Sequence, residues 1–333
     1  MPTVLVTDYA WPSLDIERDV LAAAAASLLV APTGDEGELV ELAADADAIL
    51  TCFRPVTAAV LDAASHCLTV ARYGVGLDNI DVPHAHELGM LVTNVPDYCV
   101  DEVSDHAAAL ILAMVRNVVP FTRDVVDGRW DNTAHGPMHR LRGRRLGLVG
   151  YGAIARSLAA KLRAFGMEVL AYSPSLTANA DVEAAASLDD LLARADVVSL
   201  HVPLSPATAG LIGARELGLM KAGSYLVNTA RGAVVDSGAL SAALRSGHLA
   251  GAALDVLPAE PPASDDPLLS VPNLIVTPHA AFDSAEAVEE LQRKAATNVL
   301  EVLQGRRPAY PVNPAVLDSA AFHRRGAEPV RLR

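Results

Sequence analysis

The fold is decided by residues 146–155, which read Leu-Gly-Leu-Val-Gly-Tyr-Gly-Ala-Ile-Ala. This apolar run leads into helical spacing over Ile154–Phe165 and then into a second apolar run, Val169–Tyr172. A GxGxxA turn between a strand and a helix is a dinucleotide-binding fingerprint. Gly150 permits the tight turn, and Gly152 lets the backbone approach a pyrophosphate. The sequence therefore predicts a dinucleotide site at this turn.

Short apolar runs alternate with helical stretches along nearly the whole chain. The other runs that predict strands are Val4–Thr7, Ala48–Thr51, Thr69–Arg72, Leu91–Thr93, Val197–Leu200, Tyr225–Asn228, Ala250–Leu254 and Leu274–Val276. This alternation is typical of α/β proteins with buried parallel sheets. It restarts after the irregular segment Gly128–Arg145, and the helical stretch Ala285–Gln304 is long enough to return to the first part.

We therefore predict an α/β fold with two doubly wound parallel-sheet domains. A discontinuous, flavodoxin-like domain is expected at residues 1–97 plus 284–333. A continuous Rossmann domain, residues 98–283, is expected to be inserted within it. The last stretch, Ser319–Arg333, holds four arginines and little apolar patterning. We expect it to be a frayed, solvated tail, with a nucleic-acid or membrane arm as the alternative.

Composition limits the classes of function. Of the 333 residues, 51% are hydrophobic and 20% are charged, which excludes a wholly disordered chain. The formal net charge of −14 repels phosphate backbones, so we expect no nucleic-acid partner. The longest apolar helical stretch, Ala107–Val115, is too short to cross a bilayer. Because the first residues also lack a signal-peptide pattern, we predict a cytoplasmic protein without a membrane partner.

Cysteine and histidine spacing gives no support for a metal site. The three cysteines, Cys52, Cys67 and Cys99, show no CxxC spacing, so neither a disulfide framework nor a zinc site is predicted. The close histidine pairs lack a clear set of partner ligands. We predict reduced thiols and no bound metal.

Several further motifs resemble those of the D-2-hydroxyacid dehydrogenase family and follow one another along the chain in the family's order. They are Arg72–Asp81, Thr93–Tyr98, Asn228–Gly232, Leu254–Val256, Glu260–Pro261 and Thr277–Phe282. The amino-acid sequences of these motifs are most similar to those of the branch that includes the C-terminal-binding proteins. The resemblance implies hydride transfer between a nicotinamide cofactor and a 2-keto acid/D-2-hydroxy acid pair, and a homodimer. The alternative is a dinucleotide-binding regulator or scaffold of the C-terminal-binding-protein type with little turnover.

The resemblance implies a catalytic set of Arg231, Glu260 and His279. A histidine that titrates near neutral pH suits proton transfer to the substrate oxygen. A carboxylate beside the ring favours its charged form, and a guanidinium can bind a substrate carboxylate and polarise the keto oxygen. Substrate contacts are also implied for the backbone turn of Gly74, Val75 and Gly76, for Tyr98 and for Arg231.

Cofactor contacts are implied at Gly150, Gly152, Ala153, Ile154, Ser173, Val202, Pro203, Thr208, Thr229, Ala230 and Asp255. Asp255 has an alternative interpretation as a structural cap. Ser173 stands where the family usually carries an acid that holds the ribose hydroxyls. A hydroxyl tolerates a ribose 2′-phosphate, so NAD(H) is the family default and NADP(H) is compatible with this position.

Overall fold

The computed structural model describes residues 1–176 and 182–325. By contact, the chain divides into two compact units: residues 1–98 with the chain from Ser284 on, and Cys99–Asp283. Tyr98 falls in the first unit, one residue beyond the boundary expected from the sequence, because the next helix begins only after Cys99. Of the expected C-terminal tail, residues 326–333 lie outside the described residues.

The elements are numbered in chain order. The strands are β1 Thr3–Val6, β2 Ser27–Val30, β3 Ala48–Thr51, β4 Thr69–Arg72, β5 Leu91–Thr93, β6 Arg145–Val149, β7 Glu168–Tyr172, β8 Glu183–Ala184, β9 Val197–Leu200, β10 Ser224–Asn228, β11 Leu249–Leu254 and β12 Leu274–Val276. The α-helices are α1 Asp15–Leu21, α2 Glu36–Ala43, α3 Ala58–Ala63, α4 Val82–Glu87, α5 Val100–Val115, α6 Val118–Val126, α7 Ala153–Ala164, α8 Leu188–Arg194, α9 Ala214–Leu219, α10 Ser237–Arg245, α11 Ala285–Leu303 and α12 Ala320–Arg324.

The first unit is built on a parallel sheet in the order β2-β1-β3-β4-β5. This is the flavodoxin-like order of a doubly wound fold. Strands β3, β4 and β5 are buried along their whole length, as expected for a sheet with helices on both faces. Helix α11 packs against α1, β3 and β4, so the returning chain completes this unit.

The second unit has a parallel sheet in the order β12-β11-β10-β9-β6-β7-β8. Strand β6 lies between β7 and β9, so the chain crosses to opposite sides of β6. This is the Rossmann order, and ligands of such sheets bind at the carboxyl ends of the strands where the order reverses. The glycine turn predicted from the sequence follows β6. The predicted fold class is confirmed.

Two local predictions were wrong near the first helix. Helical spacing in the sequence predicts a helix over Asp15–Ala26, but α1 ends at Leu21, and a single 3-10 turn leads to Ala25 in a left-handed conformation (φ 49°). The edge strand β2, missed in the sequence, starts two residues later and pairs with β1. Helix propensity of the alanine run is overridden here by tertiary strand pairing.

The prediction of a frayed tail was wrong for residues 319–325. The hydroxyl of Ser319 accepts the N–H of Phe322 at the start of α12, and Phe322 is only 1% exposed. The Arg325 guanidinium donates to the carbonyls of Ala64, Ser65, Cys67 and Leu88. These carbonyls lie just beyond α3 and α4, where helical backbone acceptors lose their partners. This set of contacts is called the Arg325 clamp below.

None of the three cysteines forms a disulfide, and all three are buried. Burial raises the pKa of the Cys52 and Cys67 thiols to about 12. In the part of the chain that the structure describes, no three His, Cys, Asp or Glu side chains are arranged to hold a metal ion. Over the same residues, no helix combines the length and apolar character needed to cross a membrane.

Candidate active site

His279 lies three residues after β12, at the carboxyl edge of the second sheet. Its backbone is left-handed (φ 53°), a conformation that non-glycine residues rarely adopt and that the surroundings must enforce. The N–H of His279 donates to the carbonyl of Asp255 at 2.8 Å. The direction of the imidazole is therefore set by a constrained turn, which we call the His279 turn (residues 277–281).

The carboxylate of Asp255 holds this turn. Asp255 is 1% exposed, and its carboxylate accepts the N–H groups of Ala280 and Ala281, each at 2.9 Å, and the Thr277 hydroxyl at 2.6 Å. His106 Nε2 lies 2.9 Å from that hydroxyl and 3.6 Å from the carboxylate. These contacts agree with the cap interpretation of Asp255. A contact with the cofactor stays a prediction.

Glu260 bonds the imidazole directly. Its Oε2 lies 2.6 Å from His279 Nδ1, and its Oε1 accepts the N–H of Leu257 at 2.9 Å. Burial disfavours the charged form of Glu260, but these hydrogen bonds and the charges of His279 and Arg231 outweigh it, so the pKa is lowered. An ionised carboxylate only accepts hydrogen bonds, so Nδ1 carries a proton in this contact.

Arg231 follows β10 at the same edge of the sheet. Asn228, the last residue of β10, donates from Nδ2 to the Arg231 carbonyl at 2.8 Å and accepts the Ala230 N–H at 3.0 Å. The Arg231 guanidinium donates to the Ala230 carbonyl at 2.8 Å. Because its charge helps to lower the pKa of Glu260, Arg231 belongs to the same electrostatic group. The structure thus brings the residues predicted for catalysis to one edge of the second sheet.

The glycine loop after β6 fits a pyrophosphate. Gly150 has φ 90°, and a Cβ there would lie 2.4 Å from the carbonyl oxygen of His201, so only glycine fits. Gly152 precedes α7, and a Cβ there would meet no heavy atom within 4 Å. Open space at a helix N-terminus, where N–H groups and the helix dipole favour an anion, suits a dinucleotide. Ala153 and Ile154 form the first turn of that helix.

The remaining predicted cofactor residues lie on neighbouring loops. Val202 and Pro203 follow β9, and the Thr208 hydroxyl stabilises its own turn by donating to the Pro203 carbonyl at 2.6 Å. The Thr229 hydroxyl is buried and has no hydrogen-bond partner among the described residues. Ser173 follows β7, with its Oγ 3.3 Å from that of Ser175, and residues 177–181 lie outside the described residues.

In the first unit, the turn of residues 74–76 follows β4. Gly74 has φ 142°, and a Cβ there would lie 1.8 Å from Arg72 Nη1. The carbonyls of Gly74 and Val75 accept hydrogen bonds from the Val95 N–H at 3.0 Å and from Asn94 Nδ2 at 2.8 Å. Within residues 1–176 and 182–325, the N–H groups of Val75 and Gly76 have no hydrogen-bond partner. The turn therefore presents two backbone donors.

Arg72 holds this turn, a role that the sequence analysis missed. The side chain is 7% exposed and donates from Nη1 to the Tyr73 carbonyl at 2.6 Å and from Nε to Asn79 Oδ1 at 2.9 Å. The signal in the sequence was a lone arginine at the end of an otherwise apolar run. Tyr98, expected near the substrate, is only 8% exposed, and its contact with substrate stays a prediction.

The comparisons with known proteins agree with this arrangement. The model of the D-isomer specific 2-hydroxyacid dehydrogenase NAD binding domain matches residues 108–281. A glyoxylate reductase from Korarchaeum cryptofilum is 39% identical over 286 residues, covering 84% of this chain and 86% of that protein. The chain belongs to the D-isomer specific 2-hydroxyacid dehydrogenase family. The family predicted from the sequence is confirmed.

Solved structures of this dehydrogenase family share the fold over nearly the whole chain. The D-lactate dehydrogenase of Aquifex aeolicus, solved with NAD and lactic acid, superposes with a TM-score of 0.82 at 28% identity, covering 91% of this chain and 96% of its own. An NADPH-dependent glyoxylate/hydroxypyruvate reductase of Sinorhizobium meliloti, solved with NADP and malonate, gives 0.85 at 27% identity, covering 100% and 99%. This dehydrogenase is thus an NAD(P)-dependent oxidoreductase that acts on small 2-keto/2-hydroxy acids.

Proposed function

We propose that this dehydrogenase reduces a 2-keto acid to the D-2-hydroxy acid with His279 as the proton donor. The observation that carries the proposal is the 2.6 Å contact between His279 Nδ1 and Glu260 Oε2. Because Nδ1 faces Glu260, Nε2 is the nitrogen to which the proposal assigns the transferred proton. The residue types suit an alkoxide that must be protonated as it forms.

Each side chain of the group has one task in the proposed reaction. The nicotinamide ring, when bound, supplies the hydride to the keto carbon. Arg231 donates hydrogen bonds to the keto oxygen and stabilises the negative charge that develops on it. His279 gives its Nε2 proton to that oxygen, while Glu260 stabilises the charged ring before transfer. In the reverse direction, His279 accepts the hydroxyl proton.

The two units divide the work in this proposal. The second unit holds the cofactor, which the match of the family's NAD binding domain to residues 108–281 supports. The first unit binds the substrate carboxylate through the N–H groups of Val75 and Gly76. Two neighbouring backbone donors, backed by the buried guanidinium of Arg72, form the kind of nest that binds anions.

The test of this function is absorbance of the reduced nicotinamide with a panel of 2-keto acids. We expect His279→Ala to lower kcat by about 10²–10⁴-fold, the usual contribution of a general acid. The exposed His86 supplies a matched control, and His86→Ala should leave the rate unchanged. If His279→Ala reduced 2-keto acids as fast as the wild type, the assignment of the proton donor would be refuted.

For the cofactor, we infer use of both NAD(H) and NADP(H). Ser173 and Ser175 supply hydroxyls and no carboxylate at the tip of β7, so a ribose 2′-phosphate meets no like charge from them. Ser173→Asp should lower kcat/KM with NADPH at least about tenfold relative to NADH, since a like charge facing the phosphate destabilises it. An unchanged cofactor ratio in this variant would contradict the inference.

For assembly, we propose a homodimer formed through α6 and the segment after it. Val126 and Trp130 are 81% and 90% exposed, and Val118 and Val125 are each 51% exposed. Several exposed apolar side chains in one region mark an interaction surface. Light scattering should give twice the chain mass for the wild type and a single chain mass for Val126→Asp/Trp130→Asp. A monomeric wild type would refute the proposal.

A further inference from the structure

Three exposed apolar side chains lie in neighbouring loops of the first unit, and one of them belongs to the turn of residues 74–76. Tyr9, Phe53 and Val75 are 38%, 43% and 38% exposed, and we call them the apolar rim. They follow β1, β3 and β4, which are adjacent strands of the sheet. All three therefore lie at the carboxyl edge, where ligands of doubly wound sheets bind.

Hydrogen bonds connect the loops that carry the rim. The Asp8 carboxylate accepts the N–H groups of Cys52 at 3.0 Å and Phe53 at 2.8 Å, which ties the β1 loop to the β3 loop. Asn79 donates to the Cys52 carbonyl at 3.3 Å and accepts from Arg72 at 2.9 Å. The loop of Phe53 is thereby fixed relative to the turn that offers the two backbone donors.

Tyr9 belongs to a small aromatic cluster with Trp11 and Tyr73. Its ring centroid lies 6.2 Å from that of Trp11, which packs edge-on against Tyr73 at 4.7 Å. Trp11 and Tyr73 are buried, and Tyr73 directly precedes Gly74. Edge-to-face aromatic pairs of this kind hold their members in a defined arrangement. Two aromatic contacts thus connect Tyr9 of the rim to the residue that precedes the turn of residues 74–76.

The basic side chains of these loops are engaged elsewhere. Among the described residues 7–14, 52–57 and 72–81, the arginines are Arg54 and Arg72. Arg54 lies 3.9 Å from Asp35, and its aliphatic stem packs against Gly34. Arg72 is buried in its bonds to Asn79 and Tyr73. A second anionic group on a substrate would therefore meet the apolar rim, because both arginines of these loops already face partners within the protein.

We propose that the rim selects 2-keto acids with an apolar aliphatic or aromatic side chain over glyoxylate and over acids with a second anionic group. The inference rests on the proposed function, because the carboxylate must bind the N–H groups of Val75 and Gly76. With the carboxylate there, the substrate side chain contacts Tyr9, Phe53 and Val75. Each methylene that becomes buried should then raise kcat/KM about three- to fourfold.

The experiment measures kcat/KM of the full-length protein for a graded series of acids. The series is glyoxylate, pyruvate, 2-ketobutyrate, 4-methyl-2-oxopentanoate, phenylpyruvate and 3-phosphohydroxypyruvate. We expect a rise of at least tenfold from glyoxylate to 4-methyl-2-oxopentanoate or phenylpyruvate, with the phosphorylated acid below both. Glyoxylate or the phosphorylated acid as the best substrate would overturn this inference alone. No turnover of any acid would overturn the proposed function as well.

Variants of Phe53 distinguish a role in substrate selection from a general loss of activity. Phe53→Ala should lower kcat/KM at least tenfold for phenylpyruvate and less than threefold for glyoxylate, and Phe53→Leu should restore most of the loss. Leu269→Ala is the matched control, because Leu269 is similarly exposed at 42% and belongs to the second unit. An equal loss for every acid in Phe53→Ala would contradict a role in selection.

Discussion

The two turns at the carboxyl edges of the two sheets are each held by a buried charge, but the charges have opposite signs. The His279 turn is held by Asp255, whose carboxylate accepts two backbone N–H groups and a hydroxyl. The turn of residues 74–76 is backed by Arg72, whose guanidinium donates to a backbone carbonyl and to Asn79. Each charge has partners of the opposite polarity, as burial requires.

The difference shows whether a turn offers a ligand its side chains or its backbone N–H groups. A buried anion binds the N–H groups of its turn, so the group that the His279 turn offers is a side chain. A buried cation binds acceptors instead, and the turn beside it keeps the N–H groups of Val75 and Gly76 for an anion. In the proposed reaction, the turn held by the buried anion supplies the proton, and the turn backed by the buried cation binds the substrate carboxylate.

The largest effect is expected for Asp255→Ala. Two N–H groups and a hydroxyl would lose their acceptor, and each unsatisfied group costs about 1–3 kcal/mol. The free energy of unfolding should fall by about 3 kcal/mol or more, and kcat about 100-fold, because a small displacement of His279 is enough for that. Urea unfolding and steady-state kinetics measure both.

The matched control for Asp255 is Asp236, whose carboxylate accepts the N–H of Ala239 at the start of α10. Asp236→Ala removes a helix cap and should cost about 1 kcal/mol, with kcat unchanged. Equal losses of stability and rate in the two variants would show that Asp255 has no special hold on the His279 turn.

Glu260→Gln should lower kcat by about 10–100-fold, within the range of proton-transfer catalysis. Without the carboxylate, the ring loses the negative charge that faces its Nδ1 proton. The pKa of Glu260 is lowered in the folded protein, so its ionised form is the stabilising one. Any excess in the free energy of unfolding of the wild type over Glu260→Gln should be present near neutral pH. It should disappear as the pH falls through that lowered pKa. A kcat equal to that of the wild type in Glu260→Gln would contradict the pairing.

Arg72→Met should raise KM for the 2-keto acid about tenfold and change kcat little. A hydrogen bond to a charged group contributes about 1.5–3 kcal/mol, and the lost bonds would let the turn of residues 74–76 move. Arg54→Met is the control, because Arg54 is largely exposed and its ion pair with Asp35 is long at 3.9 Å. A fall in kcat at constant KM would place Arg72 in the chemistry rather than in carboxylate binding.

The smallest effect concerns a buried charge that lacks enough partners. Glu17 is 0% exposed; its Oε1 accepts the Tyr73 hydroxyl at 3.0 Å, and its Oε2 has no partner among the described residues. Burial raises its pKa above 4.5, only partly offset by hydrogen bonds, so the folded state loses stability as the pH rises through the raised pKa.

Glu17→Gln should therefore raise the free energy of unfolding by about 1–2 kcal/mol at pH 8, because the amide has no charge to bury. The gain should shrink toward zero at pH 4, where both states carry the proton. Asp19→Asn, an exposed position on the same helix, should change little at either pH. A gain that is equal at both pH values would exclude the carboxylate as its cause.

Much of this molecule could be predicted from sequence because its signals are local. The apolar runs located most strands, and the glycine spacing located the loop at Gly150. Arg231, Glu260 and His279 came from the family resemblance, and they meet because carboxyl ends of parallel strands share one edge.

What the sequence could not supply depends on partners far apart in the chain. Strand β2 follows an alanine run and becomes a strand only by pairing with β1. The holding roles of Arg72 and Asp255 depend on side-chain geometry that no spacing rule reports. The Arg325 clamp was mistaken for a loose tail because its acceptors are backbone carbonyls, which every sequence contains.

The Arg325 clamp also has a consequence for how the protein is made. The strands of the first unit are synthesised before the second unit, yet α11 and Arg325, which pack against that first unit, are synthesised after it. At the usual pace of synthesis, the early strands wait on the order of tens of seconds for that segment. The inserted unit, which is continuous, is fully synthesised during this delay. The face of β3 and β4 that α11 covers therefore stays exposed, and open to chaperones, until α11 has been synthesised.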